Sequence, residues 1–60
     1  MTLSQAIKQD LVIEVELDLY LTKDGRILKY DRYYGPKHNK NMWVDETGNA
    51  YRNFCEAYNA

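Results

Sequence analysis

Residues 11–22 read LVIEVELDLYLT, and the reading of this stretch decides which fold the rest of the chain can adopt. Leu11, Ile13, Val15, Leu17, Leu19 and Leu21 alternate with Glu14, Glu16, Asp18, Tyr20 and Thr22. Successive side chains of a strand project to opposite faces, so the pattern predicts a strand of an antiparallel sheet, its aliphatic side buried and its acidic side wet. Unbroken, it would extend ~37 Å at ~3.4 Å per residue. A compact body of this size, with a radius of gyration of ~10 Å, is only ~27 Å across. The strand is therefore expected to bend sharply or to project and pair with another chain.

Toward the C-terminus, Lys23-Asp24-Gly25-Arg26 supplies a turn, because Gly25 accepts positive φ and Asp24 tolerates it. The chain returns along Ile27 to Tyr34, completing a long hairpin over residues 11–34. Pairing Thr22 with Ile27 sets Leu28 opposite Leu21, Tyr30 opposite Leu19 and Tyr34 opposite Val15 on the buried side, but opposes Asp18 to Asp31. A slip of one residue pairs Glu16 with Arg32, yet it carries Leu28 and Tyr30 to the wet face and buries Lys29 and Asp31. Two buried charges cost more than one exposed repulsion, so the first register is expected. Gly35-Pro36 ends the strand, since proline cannot donate to a ladder.

Beyond a polar loop, Met42 to Asp45 reads as a short third strand and Asp45 to Asn49 as a turn. Tyr51, Phe54, Cys55 and Tyr58 then fall at helical spacing, with Asn49 as N-cap. A fourth strand over Ala50 to Phe54 is the competing reading, less favoured because that span alternates poorly. At the other end, Thr2-Leu3-Ser4-Gln5 fits a capping box and opens a helix to about Gln9. The expected fold is a single α+β domain over residues 1–60. It has a three-stranded antiparallel sheet, the long hairpin 11–34 plus the short strand 42–45, with short N- and C-terminal helices on its apolar face.

Hydrophobic residues make up 45% of the chain and charged residues 28%, a globular balance that argues against disorder. Cys55 is the only cysteine and His38 the only histidine. An internal disulfide and a four-ligand zinc site are both out of reach, and oligomerisation or partner binding is the remaining reinforcement for so small a core. No secretory leader pattern is present, and the longest apolar run is Leu11-Val12-Ile13. A soluble, cytoplasmic chain without membrane contact is expected.

No catalytic grouping emerges. Cys55 falls on the expected buried helix stripe and His38 in a loop, while Glu14, Glu16 and Asp18 line an open face that offers no pocket to shift their pKa values. No phosphate-binding glycine loop exists. The chain is expected not to be an enzyme and to need neither metal nor cofactor.

Charge is distributed unevenly. Between Lys23 and Lys40 six cations face two acids, a net of +4, whereas the remainder holds two cations and seven acids, a net of −5. Such polarity steers partners and suits antiparallel self-association. The expected partner-binding surface joins Glu14, Glu16, Asp18 and Tyr20 on the wet strand face to Arg32, Tyr33, Lys37, His38 and Lys40 around the strand end. Trp43 stands beyond the loop, read both as part of this patch and as a core anchor. Tyr30 and Tyr34 are assigned to the core.

The resulting expectation is a non-enzymatic module that binds a larger host or cognate protein, an inhibitor or accessory factor of phage or mobile-element type, and that self-associates through its long first strand. In one variant, the acids at ~7 Å spacing imitate a row of phosphates. The alternative is a single-stranded nucleic-acid binder using the basic, tyrosine-containing segment 29–40.

Overall fold

The alternating stretch forms two strands, not one. In the structure, a computed structural model describing all sixty residues, β1 (Val12–Glu16) runs into a tight turn at Leu17-Asp18 and the chain returns as β2 (Leu19–Thr22). Asp18 adopts φ 60°, a left-handed conformation that aspartate tolerates better than most residues. The turn is held from two sides. Its carboxylate accepts from Arg32 Nε and Nη2, both at 3.1 Å, and its N–H donates to Glu14 Oε2 at 3.3 Å. Val15 forms a bulge, because Glu14 opposes Tyr20 while Glu16 opposes Leu19. Of the two outcomes expected from the sequence, a sharp bend or a projecting strand, the chain takes the bend.

The sheet continues through β3 (Ile27–Tyr34), β4 (Lys40–Asp45) and the two-residue β5 (Ala50–Tyr51). All neighbours are antiparallel and lie in chain order. There are thus five strands where three were expected, although the α+β class with an antiparallel sheet and two short helices holds. The 23–26 turn forms as anticipated, with Gly25 at φ 90° and the Thr22 N–H donating to Arg26 O at 2.8 Å.

Register and facing both differ from expectation. Leu21 pairs with Ile27, Tyr20 with Leu28 and Leu19 with Lys29, the slipped alignment. Both helices, α1 (Leu3–Lys8) and α2 (Phe54–Asn59), pack on the face that carries Val12, Tyr20, Leu28 and Trp43. The aliphatic positions Ile13, Val15, Leu19 and Leu21 lie on the other face, which no element covers. Lys29 and Asp31 share that open face, so the slipped register buries no charge in the core and also avoids opposing Asp18 to Asp31.

Aromatic rings fill the space between sheet and helices. Trp43 is 7% exposed and its ring centroid lies 5.4 Å from Tyr20, 5.2 Å from Tyr30 and 5.3 Å from Phe54. Phe54 stacks in turn on Tyr58 at 5.6 Å. Ala6, Val12, Leu28 and Ala57 complete the core. Cys55, expected within it, is half-exposed.

The helix ends follow local chemistry. Thr2 and Gln5 make the reciprocal capping box, at 2.8 and 3.2 Å. At the other end of α1 the Asp10 N–H donates to Ile7 O and the Leu11 N–H to Ala6 O, a Schellman arrangement whose left-handed position is taken by Asp10 at φ 59°. The N-cap of α2 is Asn53, which accepts from the Glu56 N–H at 2.9 Å, not Asn49, whose N–H and side chain are engaged by Asp45. Both readings of residues 50–59 are partly realised, since a minimal strand precedes the helix. Arg26 then fastens α2 to the sheet. It donates to Ala57 O, Tyr58 O and Ala60 O at 3.3, 2.6 and 3.2 Å, its guanidinium carbon lies 5.3 Å from the Tyr58 ring centroid, and Asp24 pairs with it at 3.2 Å.

Trp43→Ala is expected to cost ~3 to 5 kcal/mol, equal to the whole stability of ~3 to 5 kcal/mol available to a domain of this size. Near-ultraviolet circular dichroism should lose its fine structure, and a retained cooperative melt would contradict this placement of the core. Asp10→Gly should instead stabilise by ~0.5 to 1 kcal/mol, by relieving the left-handed strain and removing an acid from the negative end of α1. Chemical denaturation reads the change, and an unchanged or lower midpoint would refute it.

Candidate interaction surface

With the helices gathered on one side, the second face of the sheet is bare. Its composition follows from register, because residues directly opposed across antiparallel strands share a face. Ile13, Leu21 and Ile27 form one row across β1, β2 and β3. Leu19, Lys29, Val44 and Ala50 form the next across β2 to β5, and Asp31 with Met42 the third. Ile13, Val15 and Ile27 are 53, 49 and 42% exposed, far more than core aliphatics, while Leu19, Leu21, Met42 and Val44 are half-buried between their neighbours. Lys29 is exposed near the middle of this field and makes no ion pair within the chain. Asp31 uses one oxygen to accept from the Tyr33 N–H at 2.9 Å.

The residues expected to bind a partner are dispersed. Tyr20 and Trp43 lie in the core at 8 and 7% exposure, because the face that looked wet is the one the helices cover. Burial, with a lesser contribution from Glu14, pushes the Tyr20 phenol above its ordinary pKa. Glu14, Glu16 and Asp18 do not form an evenly spaced row. Glu14 stands opposite Tyr20, the bulge shifts Glu16 to face Leu19, and Asp18 in the turn is neutralised by Arg32. The phosphate-like ladder of acids is thus absent.

Arg32 and Tyr33 lie at the hairpin end. The guanidinium carbon of Arg32 lies 4.9 Å from the Tyr30 ring centroid, and its hydrogen bonds to Asp18 raise its pKa. Tyr33 is 69% and Leu17 86% exposed. Lys37 and His38 occupy the exposed turn after β3, where His38 takes φ 53° and its Nδ1 lies 3.2 Å from Tyr33 O, and Lys40 opens β4 opposite Tyr34. Pro36, Lys37, Asn39 and Lys40 border a cleft of about 340 Å³. Surface clefts range from about 240 to 370 Å³, and all are broad and shallow.

Elsewhere, no group of three or more His, Cys, Asp or Glu side chains is arranged to hold a metal, and no helix is long and apolar enough to cross a membrane. One acidic group is strongly perturbed. Asp45 Oδ1 accepts from Thr47 Oγ1, Thr47 N and Asn49 N at 2.7, 3.0 and 2.9 Å, and Oδ2 accepts from the Tyr51 hydroxyl at 3.1 Å. The Thr47 hydroxyl foremost, then the Asn49 N–H, hold this carboxyl down at about 2. Its role is to close the β4–β5 turn. Comparison of the chain with protein-family models, with curated proteins and with solved structures finds no match.

A signal for the open face was present in the sequence. The slipped register collects Tyr20, Leu28, Tyr30 and Trp43 on one side, and these bulky rings suit a gap between a sheet and helices better than the aliphatic row does. The break at Leu17-Asp18 had no such marker, for neither glycine nor proline stands there.

The Asp45 geometry yields a pH prediction. A carboxyl lowered on folding adds stability that is fully present above its unfolded pKa of ~3.9. That increment is lost as pH falls toward about 2. Asp45→Asn should therefore be less stable at neutral pH and show a smaller drop in melting temperature between pH 4 and pH 2 than the wild type. Equal acid sensitivity in the two proteins would overturn the assignment.

Proposed function

We propose that the protein is a non-enzymatic protein-binding module whose contact surface is the open sheet face, the occupant being an apolar surface on another polypeptide. The observation that carries the reading is the continuous aliphatic field of Ile13, Val15, Leu19, Leu21, Ile27, Met42 and Val44. Its extent is ~300 Å², from four strands ~4.8 Å apart and about five residues long. The largest apolar patch on a soluble monomer is typically ~300 to 600 Å² and is often functional.

The polar features support the same mode of action. Arg32 is committed to Asp18 and Tyr30, which leaves Lys37 and Lys40 as loose cations at one end, a poor track for a nucleic-acid backbone. An inhibitor or accessory factor needs only such a surface, since it acts by occupying a site on its partner. Cys55 as a free thiol suits a reducing, cytoplasmic setting.

Parallel affinity captures test the proposal. The bait is the wild-type chain, the Ile13→Lys/Ile27→Lys variant, or the Lys37→Ala/Lys40→Ala variant. The reading requires a protein held by the first and third baits and depleted at least tenfold on the second, whose circular dichroism should remain wild-type. Capture indifferent to the aliphatic face would refute it. Oligonucleotide binding that falls steeply with salt and is lost with Lys37 and Lys40 would replace it with the nucleic-acid alternative.

A further inference from the structure

We infer that the occupant of the open face is a second copy of this chain, packed sheet against sheet about a two-fold axis that sets Lys29 of each copy against Asp31 of the other. The inference rests on the reading of this face as a protein-binding surface and adds the identity of the partner. Three features of the face lead to it.

The first is self-complementary charge. Lys29 and Asp31 are alternate residues of β3 and project to the same side, Lys29 within the aliphatic field and Asp31 at its edge. Lys29 has no ion-pair partner within the chain, and one Asp31 oxygen remains free of the Tyr33 N–H. A two-fold interface demands that if residue i meets residue j, then j meets i. An axis lying between the sheets and crossing β3 at Tyr30 satisfies this with two identical Lys29–Asp31 pairs. Packed sheets stand ~10 Å apart, a gap that a lysine and an aspartate side chain reaching toward each other can close. An unrelated apolar partner would leave the Lys29 ammonium desolvated and unpaired, which is costly.

The second is registration of the apolar residues about the same axis. Trp43 pairs with Tyr30, so an axis through Tyr30 also passes Trp43 and brings Met42 of one copy over Val44 of the other. Both are half-buried aliphatic positions of the open face. The charged pairs are therefore flanked by apolar contact on the β4 side.

The third is area. About this axis the rows Leu19–Lys29–Val44 and Asp31–Met42 of the two copies overlap, burying ~500 to 700 Å² in total, the size of a weak, transient contact. The result is a dimer in reversible exchange with monomer, with the helices of both copies outside and two apolar sheet faces between them, the layering of a β-sandwich.

Charge reversal tests the pairing. K29D leaves two acids on the face and D31K leaves two cations, so each variant alone should form like-charge contacts across the axis and raise the dimer dissociation constant at least tenfold. Mixed in equal amounts, the two should re-form a dimer, because each then meets its opposite. Sedimentation equilibrium reads the affinities, and native mass spectrometry with one chain isotopically labelled identifies the mixed species. Val44→Lys serves as a second route to the monomer should D31K disturb the turn at Tyr33.

A wild-type chain that stays monomeric to millimolar concentration would overturn the inference, as would a dimer indifferent to all three substitutions, or reversed variants that do not recover on mixing. A monomer whose capture of another protein is nonetheless lost in Ile13→Lys/Ile27→Lys would overturn the second-copy inference alone and leave the binding-module reading intact. A monomer whose captures ignore the face would remove both.

Discussion

Trp43 is the contact on which the remaining structure depends. Its ring meets Tyr20 from β2, Tyr30 from β3 and Phe54 from α2, so one side chain of β4 ties the C-terminal helix to the middle of the sheet. A chain this short has few large side chains to bury, and seven hydrophobic residues form the whole buried core. Aromatic rings serve here because each removes a large area from water for little conformational entropy. Once the rings define the inner face, the two six-residue helices are used up in covering it. Nothing is left to cover the other side of the sheet, and the open aliphatic face follows from that shortage.

Two polar devices make this arrangement sufficient in so small a body. Arg26 satisfies carbonyls at the end of α2 that would otherwise be left to solvent, and does so from the β2–β3 turn. It thus acts as a staple between distant parts of the chain where a disulfide would serve in a cysteine-rich domain. Asp45 performs a related task within the β4–β5 turn, where one carboxylate gathers donors from Thr47, Asn49 and Tyr51. Both groups are engaged by backbone and turn contacts. On the open sheet face, by contrast, aliphatic side chains are left uncovered by any other element and Lys29 has no counter-charge.

Much of the local structure was legible in the residues alone. The Thr2–Gln5 capping box, the Gly25 turn, the stop at Gly35-Pro36 and the α+β class with terminal helices all rest on interactions within a few positions of chain, so local chemistry sufficed to place them. The polarity of the first hairpin was not legible in this way. Period-two alternation states that Leu11 to Thr22 has two unlike faces, but it does not say which face meets the helices. The aliphatic side looked like the core by composition, and the acids appeared to need water. In the folded chain the acids are accommodated otherwise: Glu14 and Glu16 sit near the hairpin tip, and Asp18 is paired with Arg32.

Sequence by itself therefore determined the α+β class, the strand character of residues 12–22, 27–34 and 42–45, the turn at Gly25 and the capping box of α1, because backbone geometry, capping hydrogen bonds and side-chain alternation act over short range. Only the tertiary structure decided that β1 and β2 are separate strands, that Leu21 rather than Thr22 pairs with Ile27, and that Tyr20 and Trp43 belong to the core. Each of these turns on a long-range competition, in which aromatic packing around Trp43 and the Asp18–Arg32 pair outweigh the burial of Ile13, Val15 and Leu21. The candidate surface is the losing side of that competition. Its residues were recognisable as apolar from the start, but their exposure could emerge only once the helices had taken the other face.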